Sequence, residues 1–313
     1  MSVTFLFPGQ GAQYPGMGKD LYDAFKEVRD LFDAASEAVG YDVGTMIFDG
    51  SEEELKQTDK TQIAVTLVNL AAAAGLSSRG IAPDRCAGFS LGEYASLVTA
   101  GVIPLEDAFG VVKARGEIME AVSRTVDTSG GASGMAAAIG LSFDEVSAAL
   151  ETVPDAYPGI YNSPSQTVVS GTAEGLAAAE TALKNAGAKR YIRLKVSGPF
   201  HCPLMADARR QFEEVLRGVA FADPKLPVYS NVTGEVIATG EEARELCLDQ
   251  LVRTVLWTPE MESLVRDGSS AFVEVGPGTV LGGLWKAYAK TKEGLEIPMY
   301  PAGKLEEVEA IPA

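Results

Sequence analysis

Histidine and cysteine are both scarce in this sequence. The 313 residues include one histidine, His201, and three cysteines, Cys86, Cys202 and Cys247. The cysteines are odd in number and follow no metal-like spacing, which argues against a disulfide framework and a cysteine metal site. We therefore expect reduced thiols in a reducing compartment, and no bound metal.

Basic residues are also few. The sequence has 26 Lys and Arg against 43 Asp and Glu, which gives a net charge of -17. Such a surface repels nucleic acid and anionic membranes. The amino terminus lacks the basic stretch and apolar segment of a signal peptide, and no window approaches the roughly 18 unbroken apolar residues of a membrane span. The composition predicts a soluble cytoplasmic protein with no nucleic-acid and no membrane partner.

One segment reverses this charge balance. From Lys184 to Lys195 the chain reads KNAGAKRYIRLK, with five basic residues and no acidic one. Lys189 and Arg190 at its centre are candidate contacts for an acidic protein partner or for phosphate groups. A solvated strand face explains the same residues, and the sequence does not decide between the two.

Strands and helices alternate along most of the chain, which predicts an α/β fold with a mainly parallel sheet covered on both faces. Val3 to Phe7 is apolar throughout, as a buried parallel strand is, and one long amphipathic helix is expected over 17–39. The same alternation returns late in the chain, with strands expected at 227–231 and 271–275. The last twenty residues are expected to form a loosely held tail.

The order of predicted strands and helices changes in the middle of the chain. The glycine-rich stretch SGGASG at 129–134 indicates a linker, and the elements after it follow the order β-α-β-β-α-β. That order is typical of the split βαβ or ferredoxin-like arrangement. We therefore predict a small inserted domain at 126–195, with 1–125 and 196–313 forming the large catalytic domain.

The pattern G-x-S-x-G occurs at Gly88-Phe89-Ser90-Leu91-Gly92, between a predicted strand and a predicted helix. This is the context of a nucleophile elbow, in which a tight turn lifts the serine hydroxyl out of the sheet. The helix amino terminus would then offer the Leu91 N–H to a developing oxyanion. A simple turn of small residues is the alternative.

A nucleophilic serine needs a base, and His201 is the one histidine available. It lies in a Gly-Pro loop where the predicted inserted domain returns to the large domain, and a cleft between domains favours small-molecule chemistry. Cys202 beside it is assigned a packing role. Near the amino terminus, Gly9-Gln10-Gly11 lacks the dinucleotide and P-loop patterns, so it indicates either a close backbone approach to a ligand or a plain turn.

Seven motifs occur in order along the chain and together resemble the malonyl-CoA:acyl-carrier-protein transacylases of fatty-acid and polyketide synthesis. The resemblance runs from about residue 3 to about residue 290. The motifs are PGQGAQ at 8–13, GFSLGEYASLVTAGV at 88–102, VKARGEIM at 112–119, YNSPSQTVVSG at 161–171, VSGPFHCPLM at 196–205, SNVTGE at 230–235 and EVGPGTVLGGL at 274–284.

The resemblance implies an α/β-hydrolase-like large domain with a ferredoxin-like insert, and transfer of malonyl groups from coenzyme A to an acyl carrier protein. Coenzyme A thioester would be a substrate, and no tightly bound cofactor is implied. The matching positions make Ser90 the acylated serine, His201 its base and Arg115 the ligand of the malonyl carboxylate. The Gln10 and Leu91 N–H groups would form the oxyanion hole.

The resemblance implies further roles around that centre. Gln250 matches the residue whose backbone carbonyl orients the histidine, and Asn162 and Asn231 match polar positions near the site. Phe200 resembles the malonyl-preferring pattern, because a bulky ring there leaves no room for an α-methyl group. Phe89 departs from the family, which has histidine immediately before the nucleophile, and this departure bears most on substrate range.

Other functions compete with malonyl transfer. A thioesterase or esterase of the α/β-hydrolase class expects its histidine late in the chain, after the acid, whereas His201 follows Ser90 by 111 positions. A carrier-protein docking module without chemistry is a second alternative. Fatty-acid and polyketide pathways both remain open, the latter for a trans-acting acyltransferase.

Overall fold

A computed structural model describes residues 2–312. Two sheets organise this part of the chain, one parallel and one antiparallel. The strands are β1 Val3–Phe7, β2 Arg85–Gly88, β3 Gly134–Ile139, β4 Ala156–Ser163, β5 Gln166–Gly171, β6 Arg190–Arg193, β7 Ala271–Glu274 and β8 Met299–Pro301. The helices are α1 Lys19–Ala24, α2 Lys26–Val39, α3 Val43–Phe48, α4 Glu52–Leu55, α5 Thr58–Ser78, α6 Gly92–Thr99, α7 Leu105–Val126, α8 Phe143–Leu150, α9 Ala173–Asn185, α10 Ala206–Leu216, α11 Gly240–Asp249, α12 Trp257–Arg266, α13 Val280–Ala289 and α14 Leu305–Ala310, with a 3₁₀ turn at Pro203–Met205.

The large sheet has the order β2-β1-β7-β8, and its three neighbouring pairs are all parallel. Strands β1 and β7 are almost wholly buried, which explains why they are apolar throughout rather than alternating. The long helices α5 and α7 pack against each other beside this sheet. The predicted α/β fold with a parallel sheet is thus confirmed.

The small sheet has the order β4-β5-β3-β6 and is antiparallel. Residues of β3 alternate between its two faces. Ala136 and Ala138 pack with α8 and α9 in a separate small core, whereas Met135 and Ala137 join the main core. The second face of this sheet therefore packs toward the large sheet, and this packing creates the cleft described below.

Helix α5 is the most apolar long helix of the fold. By length and composition it could cross a membrane, with a mean hydropathy of 1.3, although the sequence was expected to contain no such segment. However, 78% of the apolar window is buried inside the fold. Its all-round apolar surface is explained by this burial, because a core helix touches other elements on every side.

The single helix expected over 17–39 is wrong, because the chain breaks at Phe25 into α1 and α2. Phe25 has an extended backbone (φ -114°, ψ 131°). The carbonyls of Tyr22 and Asp23 at the end of α1 accept hydrogen bonds from the Arg29 guanidinium at 2.9 and 3.1 Å. This side chain replaces backbone partners that a continuous helix would have supplied.

The strand expected at 227–231 is also wrong. Only isolated bridges form there, between Cys86 and Val228 and between Tyr229 and Val236. The next residue, Ser230, accepts from the Gly234 N–H at 2.8 Å, so the chain turns before a strand can extend.

The loosely held tail expected over the last twenty residues is wrong as well. Strand β8 pairs in parallel with β7, and Val308 of α14 is fully buried. The Leu305 N–H donates to Asp20 at 2.7 Å, and Arg79 donates to the Val308 carbonyl. The carboxyl-terminal segment is therefore part of the core.

Candidate active site

Ser90 occupies a sharp turn between the end of β2 and the start of α6. Its backbone is left-handed, with φ +50°, which is strained for a residue with a side chain. A Cβ at Gly92 would lie 2.0 Å from the Phe7 carbonyl, and one at Gly88 would lie 2.1 Å from the Gly92 backbone. Both glycines of G-x-S-x-G are thus required by close backbone approaches. The strand–turn–helix context expected from the sequence is present.

His201 lies directly beside the serine. Its Nε2 is 2.7 Å from Ser90 Oγ, and its Nδ1 is 2.7 Å from the Gln250 backbone carbonyl. A carbonyl can only accept, so the proton is on Nδ1 and the Nε2 lone pair faces the Ser90 hydroxyl. The arrangement can transfer the hydroxyl proton to the ring while Gln250 stabilises the resulting imidazolium.

Two backbone N–H groups near Ser90 are available to a ligand. Among residues 2–312, neither the Gln10 nor the Leu91 N–H donates a hydrogen bond. The Ser90 N–H itself is occupied, because it donates to Asn231 Oδ1 at 2.6 Å. Gln10 and Leu91 also line the cleft that contains the serine, so both can donate to an oxyanion formed there.

Arg115, on α7, is a buried cation, with only 1% of its surface exposed. It donates to Gln62 Oε1 at 2.9 Å and to Gln250 Oε1 at 2.8 Å, both uncharged acceptors. Within the described chain it forms no ion pair, and its Nε–H has no partner. A buried charge without an anion is costly, so the site is well suited to an anionic group of a ligand.

The two acidic residues nearest to Arg115 in sequence are paired elsewhere. Glu120 contacts Arg124 at 2.5 Å, and Glu117 lies 3.9 Å from Lys113. This agrees with the helical spacing, since neither acid is three or four residues from Arg115.

A cleft of about 230 Å³ brings these groups together between the two sheets. Its walls are mainly apolar. Phe89 packs edge-to-face on Trp257 with ring centroids 5.3 Å apart, and buried Phe200 accepts from Ser170 Oγ at 2.5 Å through its carbonyl. Asn162 also lines the cleft, and its buried Oδ1 has no hydrogen-bond partner within residues 2–312.

The acyl transferase domain family matches residues 4–299. The chain belongs to this acyl transferase family. The resemblance indicated by the sequence motifs is thereby confirmed.

Curated relatives and solved structures of the acyl transferase family agree with this assignment. The malonyl CoA-acyl carrier protein transacylase of Bacillus subtilis is 39% identical over 288 residues, which cover 91% of this chain and 89% of that protein. The Escherichia coli K12 enzyme of the same name is also 39% identical, covering 92% and 93%.

Among solved structures, an acyl carrier protein S-malonyltransferase from Vibrio cholerae has a TM-score of 0.93 and 34% identity, with all of both chains covered. A malonyl-transacylase solved in complex with its type II polyketide acyl-carrier protein has a TM-score of 0.91 and 35% identity, covering 99% of this chain and 98% of that one.

Two buried glutamates of this acyl transferase were not predicted as site residues. Glu93 accepts from the Gln250 side-chain amide, and Glu260 accepts from Asn231 Nδ2 at 2.8 Å. Burial raises the pKa of Glu93 to about 8 and raises the pKa of Glu260 well above its ordinary value. The signal for Glu93 was its place in GFSLGEYAS, within the first turn after the elbow. Nothing in the sequence marks Glu260.

Cys202 is unsuited to act as a second nucleophile. Burial raises the pKa of its thiol to about 12, and Sγ donates to the Pro199 carbonyl at 3.0 Å. Cys86 and Cys247 are likewise free and buried. Among residues 2–312, no group of three or more His, Cys, Asp or Glu side chains could hold a metal ion.

Lys189 and Arg190 lie outside the Ser90 cluster, exposed on and beside the edge strand β6. Neither forms an ion pair within the described chain. Leu194, just beyond this strand, lines the cleft. The basic segment therefore leads to the rim of the site and not into it.

Proposed function

We propose that this acyltransferase is a malonyl-CoA:acyl-carrier-protein S-malonyltransferase. Family membership supports acyl transfer, and the names of the relatives supply the donor and acceptor. The observation that carries the choice of acyl group is Arg115, a buried cation with neutral partners in the cleft of Ser90 and His201. A neutral acyl group would leave this charge without an anion.

The reaction runs in two half-reactions. In the first, His201 Nε2 takes the Ser90 proton while Oγ bonds to the thioester carbonyl carbon, and the Gln10 and Leu91 N–H groups hold the oxyanion. The carbon–sulfur bond then breaks, and coenzyme A leaves with the proton from His201. In the second, the phosphopantetheine thiol of the carrier protein gives its proton to His201 and attacks the Ser90 ester, and Ser90 recovers the proton.

Arg115 would form a two-pronged hydrogen bond with the malonyl carboxylate throughout both halves. Phe200 and Phe89 would limit the space around the α-carbon, and Asn162 would offer its free oxygen to an N–H donor of the arm. Asn231 would hold the elbow through the Ser90 N–H. The chemistry requires no tightly bound cofactor.

We also propose how the chain divides into domains. The parallel sheet with its elbow supports an α/β-hydrolase-like large domain formed by 1–125 and 196–313. The order β4-β5-β3-β6 and two helices on one face support a ferredoxin-like insert at 126–195. Three free buried cysteines support a cytoplasmic location.

The test of the proposed function is covalent capture followed by transfer. Purified protein mixed with malonyl-CoA should gain the mass of one malonyl group, and added holo-acyl carrier protein should remove it with formation of malonyl-carrier protein. Steady hydrolysis of malonyl-CoA without carrier protein, as fast as transfer with it, would instead identify a thioesterase. A chain that gains no mass would be a docking module.

The first testable property is the pH dependence of acylation. Burial, and behind it the positive charge of Arg115, lowers the pKa of His201 from 6.5 to about 3. The imidazole ring therefore stays neutral, and able to act as a base, at pH values well below 6.5, because it is unprotonated at any pH above its lowered pKa. We expect kcat/KM for acylation, which reports the free enzyme, to stay level between about pH 5 and about pH 7. Rapid-quench mass spectrometry at a series of pH values measures this rate constant. A fall in kcat/KM with a midpoint near pH 6.5 would contradict the expectation.

The second property concerns the basic segment. Reversing Lys189 and Arg190 to Glu should raise the KM for carrier protein, or for coenzyme A thioester, by about tenfold at low salt, because charge attraction acts over about 8 Å at physiological ionic strength. The difference should shrink as salt is added. Lys225→Glu, another exposed lysine at the far end of α6 from Ser90, is the matched control. Equal kinetics for the reversed and control variants would mean that β6 presents only a solvated face.

A further inference from the structure

The side-chain amide of Gln250 connects the groups of the site. Its Oε1 accepts from Arg115 at 2.8 Å, and its Nε2 donates to the Ser90 carbonyl at 3.0 Å and to Glu93. The backbone carbonyl of the same residue holds His201. One residue thus contacts the candidate carboxylate ligand, the elbow and the base.

The orientation of this amide decides what Arg115 meets. Rotating it by half a turn would point its NH₂ group at the guanidinium, which has only donors. The Arg115 N–H group that now donates to Gln250 would then lose its acceptor and face another donor. Glu93 opposes that rotation, because its carboxyl oxygen accepts from Nε2. The residue is only 1% exposed, so water has little access to replace this acceptor. The Ser90 carbonyl supports the same orientation from the other side.

We propose that Glu93 is a positioning residue for acyl-group selection: it fixes the Gln250 amide with its oxygen toward Arg115, and so aims the guanidinium at the substrate carboxylate. This rests on the proposed malonyl transfer, and it assigns part of the selectivity to a residue that touches neither substrate nor Arg115. Its effect should appear with a carboxylated acyl group and be small with one that lacks a carboxylate.

Glu260 provides a natural comparison within the same chain. It is equally buried and also holds a side-chain amide, that of Asn231, which accepts the Ser90 N–H. Asn231 also donates to the Gly88 carbonyl at 2.7 Å. It does not contact Arg115, and its Oδ1 is the most distant of the acceptors of the Gln250 amide, at 3.4 Å. Disturbing Glu260 should therefore loosen the elbow for every acyl group alike.

The experiment measures kcat/KM for acylation of Ser90 by malonyl-CoA and by acetyl-CoA in three variants. Glu93→Leu should lower the malonyl-to-acetyl ratio about tenfold, mainly through malonyl-CoA, since one buried charge-assisted bond is misdirected. Glu93→Gln keeps an acceptor oxygen. Because the pKa of Glu93 is raised to about 8, the carboxyl group is mainly uncharged at neutral pH, as the glutamine amide is, so this variant should restore most of the ratio. Glu260→Leu should lower both rates and keep the ratio.

A fourth variant, at Gln250, tests the proposal if Glu93→Leu does not fold. Gln250→Met removes the amide but keeps the backbone carbonyl, and should cause the same loss of ratio. Where both variants fold, combining them should add nothing, because they break one chain of contacts. An unchanged ratio in Gln250→Met or in folded Glu93→Leu would overturn the proposal. If the unmodified protein forms no malonyl adduct, the proposed function itself fails, which is a separate result.

Discussion

Ser90→Ala is expected to gain no mass from malonyl-CoA, and His201→Ala to gain it several orders of magnitude more slowly than the unmodified protein. The first variant lacks the oxygen that forms the ester. The second lacks the base 2.7 Å from that oxygen, so the hydroxyl must lose its proton to water. Rapid-quench intact-mass spectrometry measures both, and peptide mapping locates the adduct.

Cys202→Ala is the matched control for this pair, because Cys202 neighbours the histidine but donates its thiol proton to a carbonyl. It should be acylated at nearly the unmodified rate. An adduct that forms at full rate in Ser90→Ala, on Cys202 or elsewhere, would show that the nucleophile has been misassigned.

The second large effect is a reversal of substrate preference in Arg115→Ala. Charge-assisted hydrogen bonds contribute about 1.5–3 kcal/mol, so malonyl transfer should fall at least about tenfold. Acetyl-CoA brings no carboxylate and leaves the buried guanidinium without an anion, so its transfer should hold or rise when the charge is removed. The ratio of kcat/KM for the two thioesters, measured with holo-acyl carrier protein, tests this directly.

Arg124→Ala is the control for Arg115→Ala, because Arg124 lies on the same helix. Its side chain is exposed and pairs with Glu120. The preference of Arg124→Ala for malonyl-CoA should not change. Thermal unfolding of both variants separates lost selectivity from lost folding, because Arg115→Ala also leaves Gln62 and Gln250 without a donor. Equal losses for malonyl and acetyl groups would make Arg115 structural.

Much of this site could be predicted because its chemistry is local in sequence. The elbow around Ser90 needs glycines at fixed positions, and the single histidine left one candidate base. The pattern of apolar residues likewise located β1 and β7 of the large sheet, whereas β8 lies in the segment that was expected to be a loose tail. In contrast, the break at Phe25 depends on Arg29 reaching back to helix carbonyls, a contact that periodicity does not encode.

The burial of the two glutamates could not be predicted from the sequence. Glutamate is expected on the surface, and only the folded chain shows that Glu93 and Glu260 each accept a hydrogen bond from a buried side-chain amide. Gln250 was assigned a role through its backbone, whereas its side chain contacts Arg115 and Ser90 as well. Contacts across 160 positions of sequence leave no local pattern.

Strand β8 is an edge strand whose features oppose aggregation between copies of this protein. It is only three residues long, and its last residue, Pro301, lacks an N–H to offer a neighbouring strand. Short edge strands that contain proline are a common protection against edge-to-edge aggregation, and β8 covers the side of β7 that faces away from β1. The carboxyl-terminal residues thus shield an apolar parallel strand, which would otherwise be a template for pairing between molecules.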